Sequence, residues 1–510
     1  MQFPGALQRR VGLEVPPRTA WWFILAPVGL ASLAAIATFA GPLLALALIL
    51  AAAGAFVVLI WPDLATLVTA LLLYTNVPAI LTKEHGMPEA VAGAFILLLA
   101  VPITHAVLVR RESLRFDTAL GLMFALLAVM LLSTLGAVSE RIALDRVRGF
   151  AIEGLLLYWL VVNAVRNLGA LRKLFWALLV ASSLLSALSL YQDLTGSYEQ
   201  EFGGLAHRYS RAELAPGEEE KLLRRSMRAQ GPVDEPNRFA QILIVLVPIA
   251  VYMYRTAGSR AAGLCAAGLG AMTTVGVLIT LSRGAFLTLA IMAIAMARMR
   301  WIRPAHLVAG ALAVLSILPI VSPFFLDRLV SIVDARHLMG GGTSYQQADG
   351  AMRGRTTEML AALYVFRDHP VVGVGPGQFP PFYFQKYAAS ADIKFRDINV
   401  PRRAHNLYLE MASELGALGL GAFLALLGVL MRGLWRARRR LLGWNTGNAD
   451  LAAAAWLSLF AYASSAMFLH LSYQRYYWLL IAIASAALHV LRPAASPPTT
   501  AASRGRSWAR

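Results

Sequence analysis

Three short polar motifs interrupt a chain otherwise dominated by apolar runs: Leu281-Ser-Arg-Gly284, Gly354-Arg-Thr-Thr-Glu358 and Ala404-His-Asn-Leu-Tyr-Leu-Glu410. Their central residues, Arg283, Arg355 and His405, suit chemistry on a phosphorylated substrate. A guanidinium offers a planar fork of donors that matches phosphate oxygens. An imidazole accepts a proton near neutral pH. Asn406, Glu410 and Glu414 follow His405 at four-residue spacing, so one stripe of a helix would carry all three. Glu410 falls inside the following apolar run, where a carboxylate needs a partner. Asn237 and Arg238 lie in Asp234-Glu-Pro-Asn-Arg-Phe-Ala240 at the start of another apolar run, and Asn237 there could simply cap a helix. Arg475 belongs to a polar and aromatic hairpin, His470-Leu-Ser-Tyr-Gln-Arg-Tyr-Tyr477, that also reads as an aromatic belt.

The elements that position these residues are membrane helices. Of the 510 residues, 58% are hydrophobic and 15% charged, with mean hydropathy +0.61; soluble domains are about half apolar and a quarter charged. The apolar runs are roughly 18–25 residues long, enough to cross ~30 Å of hydrocarbon. Expected spans are 20–38, 42–61, 64–81, 88–109, 117–137, 147–165, 173–192, 237–254, 261–281, 284–299, 305–326, 405–431, 451–470 and 475–491, fourteen in all. The fold expected is therefore all-α, a polytopic helical membrane protein. The net charge of +18 reads as loop orientation, not nucleic-acid binding. With the N-terminus in the cytoplasm, five basic segments share one side: 110–115, 166–173, 255–260, 298–303 and 432–440. Both termini are then cytoplasmic, and Arg283, Arg355 and His405 all face outward.

This alternation divides the chain into N-terminal helices (1–192), an outer loop (193–236), helices around the Ser-Arg-Gly turn (237–326), a large outer loop (327–404), C-terminal helices (405–492) and a disordered tail (493–510). The large loop carries ten basic and seven acidic residues. Tyr383, Phe384 and Tyr387 lie among them, which suits a sugar-phosphate ligand or a solvated, partly helical loop equally. The glycines of His369-Pro-Val-Val-Gly-Val-Gly-Pro-Gly-Gln-Phe379 read chiefly as a compact turn. They do not open a helix after a strand, so a dinucleotide site is excluded. The single cysteine, Cys265, allows no intrachain disulfide. Paired metal motifs, a Walker loop and Asp-X-Asp are all missing, so no cofactor is expected.

The blocks 234–240, Ser282-Arg-Gly284, Gly354-Arg355, 369–379, 404–410 and Glu414-Leu-Gly-Ala-Leu-Gly419, in this order, make the chain similar to the bacterial O-antigen ligase and O-antigen polymerase superfamily. The similarity covers about 230–420. It implies a GT-C-like membrane glycosyltransferase of the bacterial inner membrane, with about 14 transmembrane helices, a long partly helical periplasmic loop and a periplasmic active site. The donor would be an undecaprenyl-diphosphate-linked oligosaccharide; the acceptor a hydroxyl of another glycan or of lipid A–core; the mechanism inverting and free of metal. Arg283 and Arg355 would stabilise the diphosphate and His405 would serve as base. Asn237, Arg238, Asn406, Glu410 and Arg475 would contact substrate. Membrane lipids surround such an enzyme, and the resemblance admits a chain-length regulator as a further partner. The fourteen spans and long outer loop lean toward a polymerase of repeat units. A ligase, and a transporter of lipid-linked sugars, are the competing readings.

Overall fold

The computed structural model describes residues 61–88, 93, 95–208, 228–321, 350–387, 400–471 and 474–492. The expected spans 20–38 and 42–61 (but for its last residue), residues 209–227 of the loop 193–236, the stretches 322–349 and 388–399 and the tail from 493 lie outside them. The chain divides into two compact units, Met1–Leu64 and Ala65–Arg510, and every element around the candidate site belongs to the second. Among the described residues the fold is helical, with one isolated antiparallel bridge between His207 and Gly231.

In chain order the elements are α1 (Pro62–Tyr74), α2 (Val77–His85), α3 (Phe95–Val109), α4 (Thr118–Thr134), α5 (Glu140–Ala164), α6 (Leu168–Thr195), α7 (Pro236–Arg255), α8 (Arg260–Ile279), α9 (Arg283–Arg298), α10 (Pro304–Val321), α11 (Gly350–Asp368), α12 (Phe379–Tyr387), α13 (Leu407–Leu441), α14 (Thr446–Phe468) and α15 (Gln474–Leu491). Six of these, α5, α6, α7, α8, α13 and α14, are long and apolar enough to cross a membrane, and α1 with α2 would make a seventh. Large apolar side chains such as Leu264 and Ile294 are exposed, as helices facing lipid require.

Several boundaries differ from expectation for local reasons. The single span expected at 64–81 is bent by 53° between α1 and α2. Asn76 adopts φ 62° there and Pro78 follows; proline cannot continue the preceding hydrogen-bond ladder. The split between 261–281 and 284–299 is real: Leu281 has φ 51°, and the Ser282 hydroxyl accepts from the Ala285 amide to cap α9. The basic segment 432–440 is not a loop but the last turns of α13. Arginine favours helix, and its charge suits a helix C-terminus.

Small residues let helices approach closely. On α6 and α8, Ser182 and Thr273 hydroxyls are 2.9 Å apart, and a Cβ on Gly276 would stand 2.1 Å from the Ser186 hydroxyl. Asp117, which caps α4 through the Leu120 amide, also accepts from Tyr158 of α5 and Ser485 of α15 and lies 3.0 Å from His489. That one carboxylate thereby ties three helices. At the arginine-rich end, Asp450 of α14 binds Arg255 at 3.0 Å and accepts from the Trp301 indole at 2.9 Å.

The glycine-rich segment is more than a compact turn. Helix α13 breaks at Gly416 (φ 63°), and the chain from Pro370 docks into the break. The Val374 and Gly375 amides donate to the Ser413 and Glu414 carbonyls at 3.0 and 2.9 Å. The Ala417 amide returns to the Pro370 carbonyl at 2.7 Å. Backbone meets backbone so closely that a Cβ on Gly373 would stand 2.3 Å from the Glu414 carbonyl carbon. The buried Glu414 carboxylate accepts from the Gly377 amide at 2.8 Å and the Phe379 amide at 3.4 Å, just where α12 begins. A carboxylate is favourable at a helix N-terminus.

Gly373→Ala is therefore expected to lower stability by about 2–5 kcal/mol, from a left-handed penalty of ~1–2 and an overpacking cost of ~1–3. Thermal unfolding of the purified variant in detergent, compared with Gly310→Ala where nothing lies within 4 Å, measures the difference.

Candidate functional site

The starts of α7, α9 and α13 and the end of α14 meet at one end of the bundle. Arg228 fastens two of them, donating to the Thr280 carbonyl at 2.9 Å and to the Asn237 side chain at 3.0 Å. Asn237 in turn donates to Glu235 at 3.1 Å. Asn406 caps α13 by accepting from the Tyr408 and Leu409 amides, each at 3.0 Å, and donates to the Met467 carbonyl of α14 at 3.0 Å.

A narrow cleft, with room for about one water molecule (about 10 Å³), opens where these elements converge. Its walls include Asn237 from α7, Ser282 and Gly284 from the α8–α9 turn, Arg355 from α11 and Phe468 from α14. Residues more than a hundred positions apart in sequence thus face one space. Arg283 occupies the first position of α9 between two of the wall residues. Gly284 lies against the Phe468 ring, which a Cβ would meet at 3.2 Å.

His405 precedes the α13 cap and has φ 49°, a strained conformation for a non-glycine residue, of a kind that clusters at functional sites. Its Nε2 lies 3.7 Å from Oε2 of buried Glu358, on the same helix as Arg355. Its Nδ1 is buried without a hydrogen-bond partner, so a ligand group could satisfy it. The ring stands edge-on to His470 at 5.4 Å between centroids. Burial pushes the His405 pKa down to about 4, and the positive charges of Arg355, Arg402 and Arg238 push the same way against Glu235. His470 is also driven well below the usual imidazole value, chiefly by burial and then by Arg403 and Arg238. At neutral pH both rings are uncharged, and His405 can accept a proton.

Arg238 is almost fully buried, donating to the His470 carbonyl at 3.1 Å and lying 3.5 Å from Glu235. Glu410 is equally buried. It pairs with Arg403 and accepts from the Leu471 amide at 2.8 Å. A carboxylate in this position is held by its partners. Arg475 pairs with Glu153 of α5 at 2.9 Å. The structure thus gathers Asn237, Arg355 and the Arg283 turn around the cleft and sets His405 in the electrostatic field of Arg355. Asn406, Glu410 and Arg475 are not among the wall residues; their side chains fasten the hairpins that frame it.

Tyr383 stacks on Phe379 at 4.9 Å, and Lys386 and Tyr387 bind Asp368 at 2.6 and 2.9 Å. Those contacts hold the Asp368 pKa down to about 2, through Lys386 first and then Tyr387. Lys386 and Tyr387 thereby hold α12 against α11. Sequence reasoning missed Arg228, Glu358, Arg403 and His470 as neighbours of the site. Of these, Glu358, at the end of its motif, and His470, within its hairpin, stood in stretches the sequence reading singled out.

The fold and this site define a polytopic helical membrane protein with a cleft at one end of its bundle that Arg355 lines, and with His405 within the electrostatic reach of that arginine. Residues 267–424 match the family model described as O-antigen ligase. The match runs from α8 through the break in α13 and contains Arg283, Arg355 and His405, and it supports the O-antigen ligase and polymerase superfamily, whose members are membrane glycosyltransferases. A comparison with curated proteins finds no match.

Proposed function

We propose that the protein transfers a glycan from a polyprenyl diphosphate to an acceptor hydroxyl at the outer membrane face, without a metal or cofactor. The observation that carries this reading is the convergence of Arg355, Asn237 and the Ser282–Ala285 turn on one cleft, with the uncharged His405 beside them. In the proposed step the acceptor oxygen attacks the anomeric carbon while the bond from that carbon to the diphosphate oxygen breaks. The electron pair leaves with the diphosphate, where Arg355 and Arg283 offset the growing negative charge. The hydroxyl proton passes to His405, and Glu358 steadies the imidazolium that forms. Attack from the face opposite the leaving group inverts the anomeric centre. The large outer segment and the fourteen spans read from the sequence favour repeat-unit polymerisation over ligation to lipid A–core.

A pH profile tests the pairing of His405 with Arg355. In the free enzyme the histidine titrates near 4. A bound diphosphate would neutralise part of the arginine field and raise that value. The acid limb of kcat/KM is therefore expected near pH 4 and that of kcat distinctly higher. Coincident limbs, or limbs unmoved by His405→Gln, would contradict the assignment. Stability runs with the same sign. The unfolded imidazole, at 6.5, binds protons before the folded one, so stability falls as pH drops from about 6.5 toward 4.

A further inference from the structure

The arginine-rich end holds a second cavity that the proposed reaction does not use. An open groove of about 640 Å³ runs between α9, α13 and α14, within the ~300–1,000 Å³ range of ligand sites. Its walls are mostly apolar, from Ala295, Trp435 and Trp456 among others, yet Arg298, Arg432 and Arg438 stand around it. Among the described residues none of these three arginines has an acidic partner. The nearby carboxylate of Asp450 is engaged by Arg255 and Trp301. Arg438 lies over the Trp435 ring at 5.3 Å, and its Nε is buried without a hydrogen-bond partner. Trp435 and Trp456 pack 5.7 Å apart.

An apolar trough explains neither three unneutralised guanidinium groups nor the orphaned Nε, and a small soluble anion would leave the trough wet. A ligand with both an anionic head and hydrocarbon chains satisfies both features. Tryptophan and arginine together are the side chains that favour a membrane–water interface. We infer that this groove binds an anionic phospholipid of the surrounding membrane, its phosphate held by Arg438 and Arg298 and its acyl chains laid against Trp456 and Ala295. The site is independent of the cleft at the opposite end of the bundle.

Native mass spectrometry of the full chain, titrated with phosphatidylglycerol and with phosphatidylcholine, tests the inference. Phosphatidylglycerol should be retained about five-fold more strongly for each arginine engaged. Arg438→Ala should remove most of that preference. Ala295→Trp, which fills the groove and keeps its charge, should reduce retention of phosphatidylglycerol. Equal retention of the two lipids, or phosphatidylglycerol binding unchanged in both variants, would overturn the site. Binding of soluble glycerol phosphate as tight as that of the lipid would also overturn it. A dimer that Ala295→Trp dissolves, without lipid preference, would seat a second copy in the groove instead and overturn the lipid assignment.

Discussion

Replacing His405 with alanine is expected to lower glycan transfer by about 100- to 10,000-fold, the range over which a positioned general base acts, while the protein stays folded and inserted. The stability side follows from the surroundings of the ring. Its Nδ1 is buried without a partner, and its Nε2 stands 3.7 Å from Glu358, beyond hydrogen-bond reach. Few folded-state bonds are lost with the side chain, and the left-handed backbone at position 405 is the same for both residues. The cap of α13 rests on the neighbouring Asn406, which the substitution leaves in place. Transfer and thermal midpoint measured on one preparation separate the two effects. A variant that keeps most of its transfer would remove His405 from the chemistry.

Arg355→Lys is expected to cost roughly 100-fold in kcat, comparable to removing one preorganised donor from a site of developing charge. Lysine keeps the positive charge but loses the planar fork. Two consequences can then be told apart. Because the charge remains beside His405, the acid limb of kcat/KM should stay near pH 4 in Arg355→Lys. In Arg355→Ala one of the causes that depress the His405 pKa is gone, so that limb should move upward as kcat falls. Near-normal turnover by the lysine variant would reduce Arg355 to a source of field alone.

How much of this was readable from sequence depends on the range of each interaction. The motifs around Arg283, Arg355 and His405 were visible because polar residues in apolar runs are conspicuous. The seat of the glycine segment was not visible. Gly373 and Gly416 lie far apart in the chain, and only folding presses their backbones together. For the same reason Glu358 could not be paired with His405, nor Arg228 with both Thr280 and Asn237. The ion pairs of Glu410 and Arg475 were equally out of sight. A buried charge reads alike from sequence whether it waits for a ligand or already holds Arg403 or Glu153. The length of α13 was hidden by treating Arg432–Arg440 as a loop, although arginine continues a helix readily.

The central claim is that the cleft breaks the bond between a glycan and a polyprenyl diphosphate and hands the glycan to a hydroxyl. The most direct measurement is a reconstituted assay with the purified chain and an undecaprenyl-diphosphate-linked repeat unit, alone and with lipid A–core, following both the glycan and the released lipid diphosphate. The account predicts a ladder of longer glycans with stoichiometric release of undecaprenyl diphosphate from the donor alone, lost in His405→Ala. Transfer only when lipid A–core is added would keep the chemistry and make the protein a ligase. Movement of intact donor across the bilayer, with no diphosphate released, would contradict the account and make the protein a transporter.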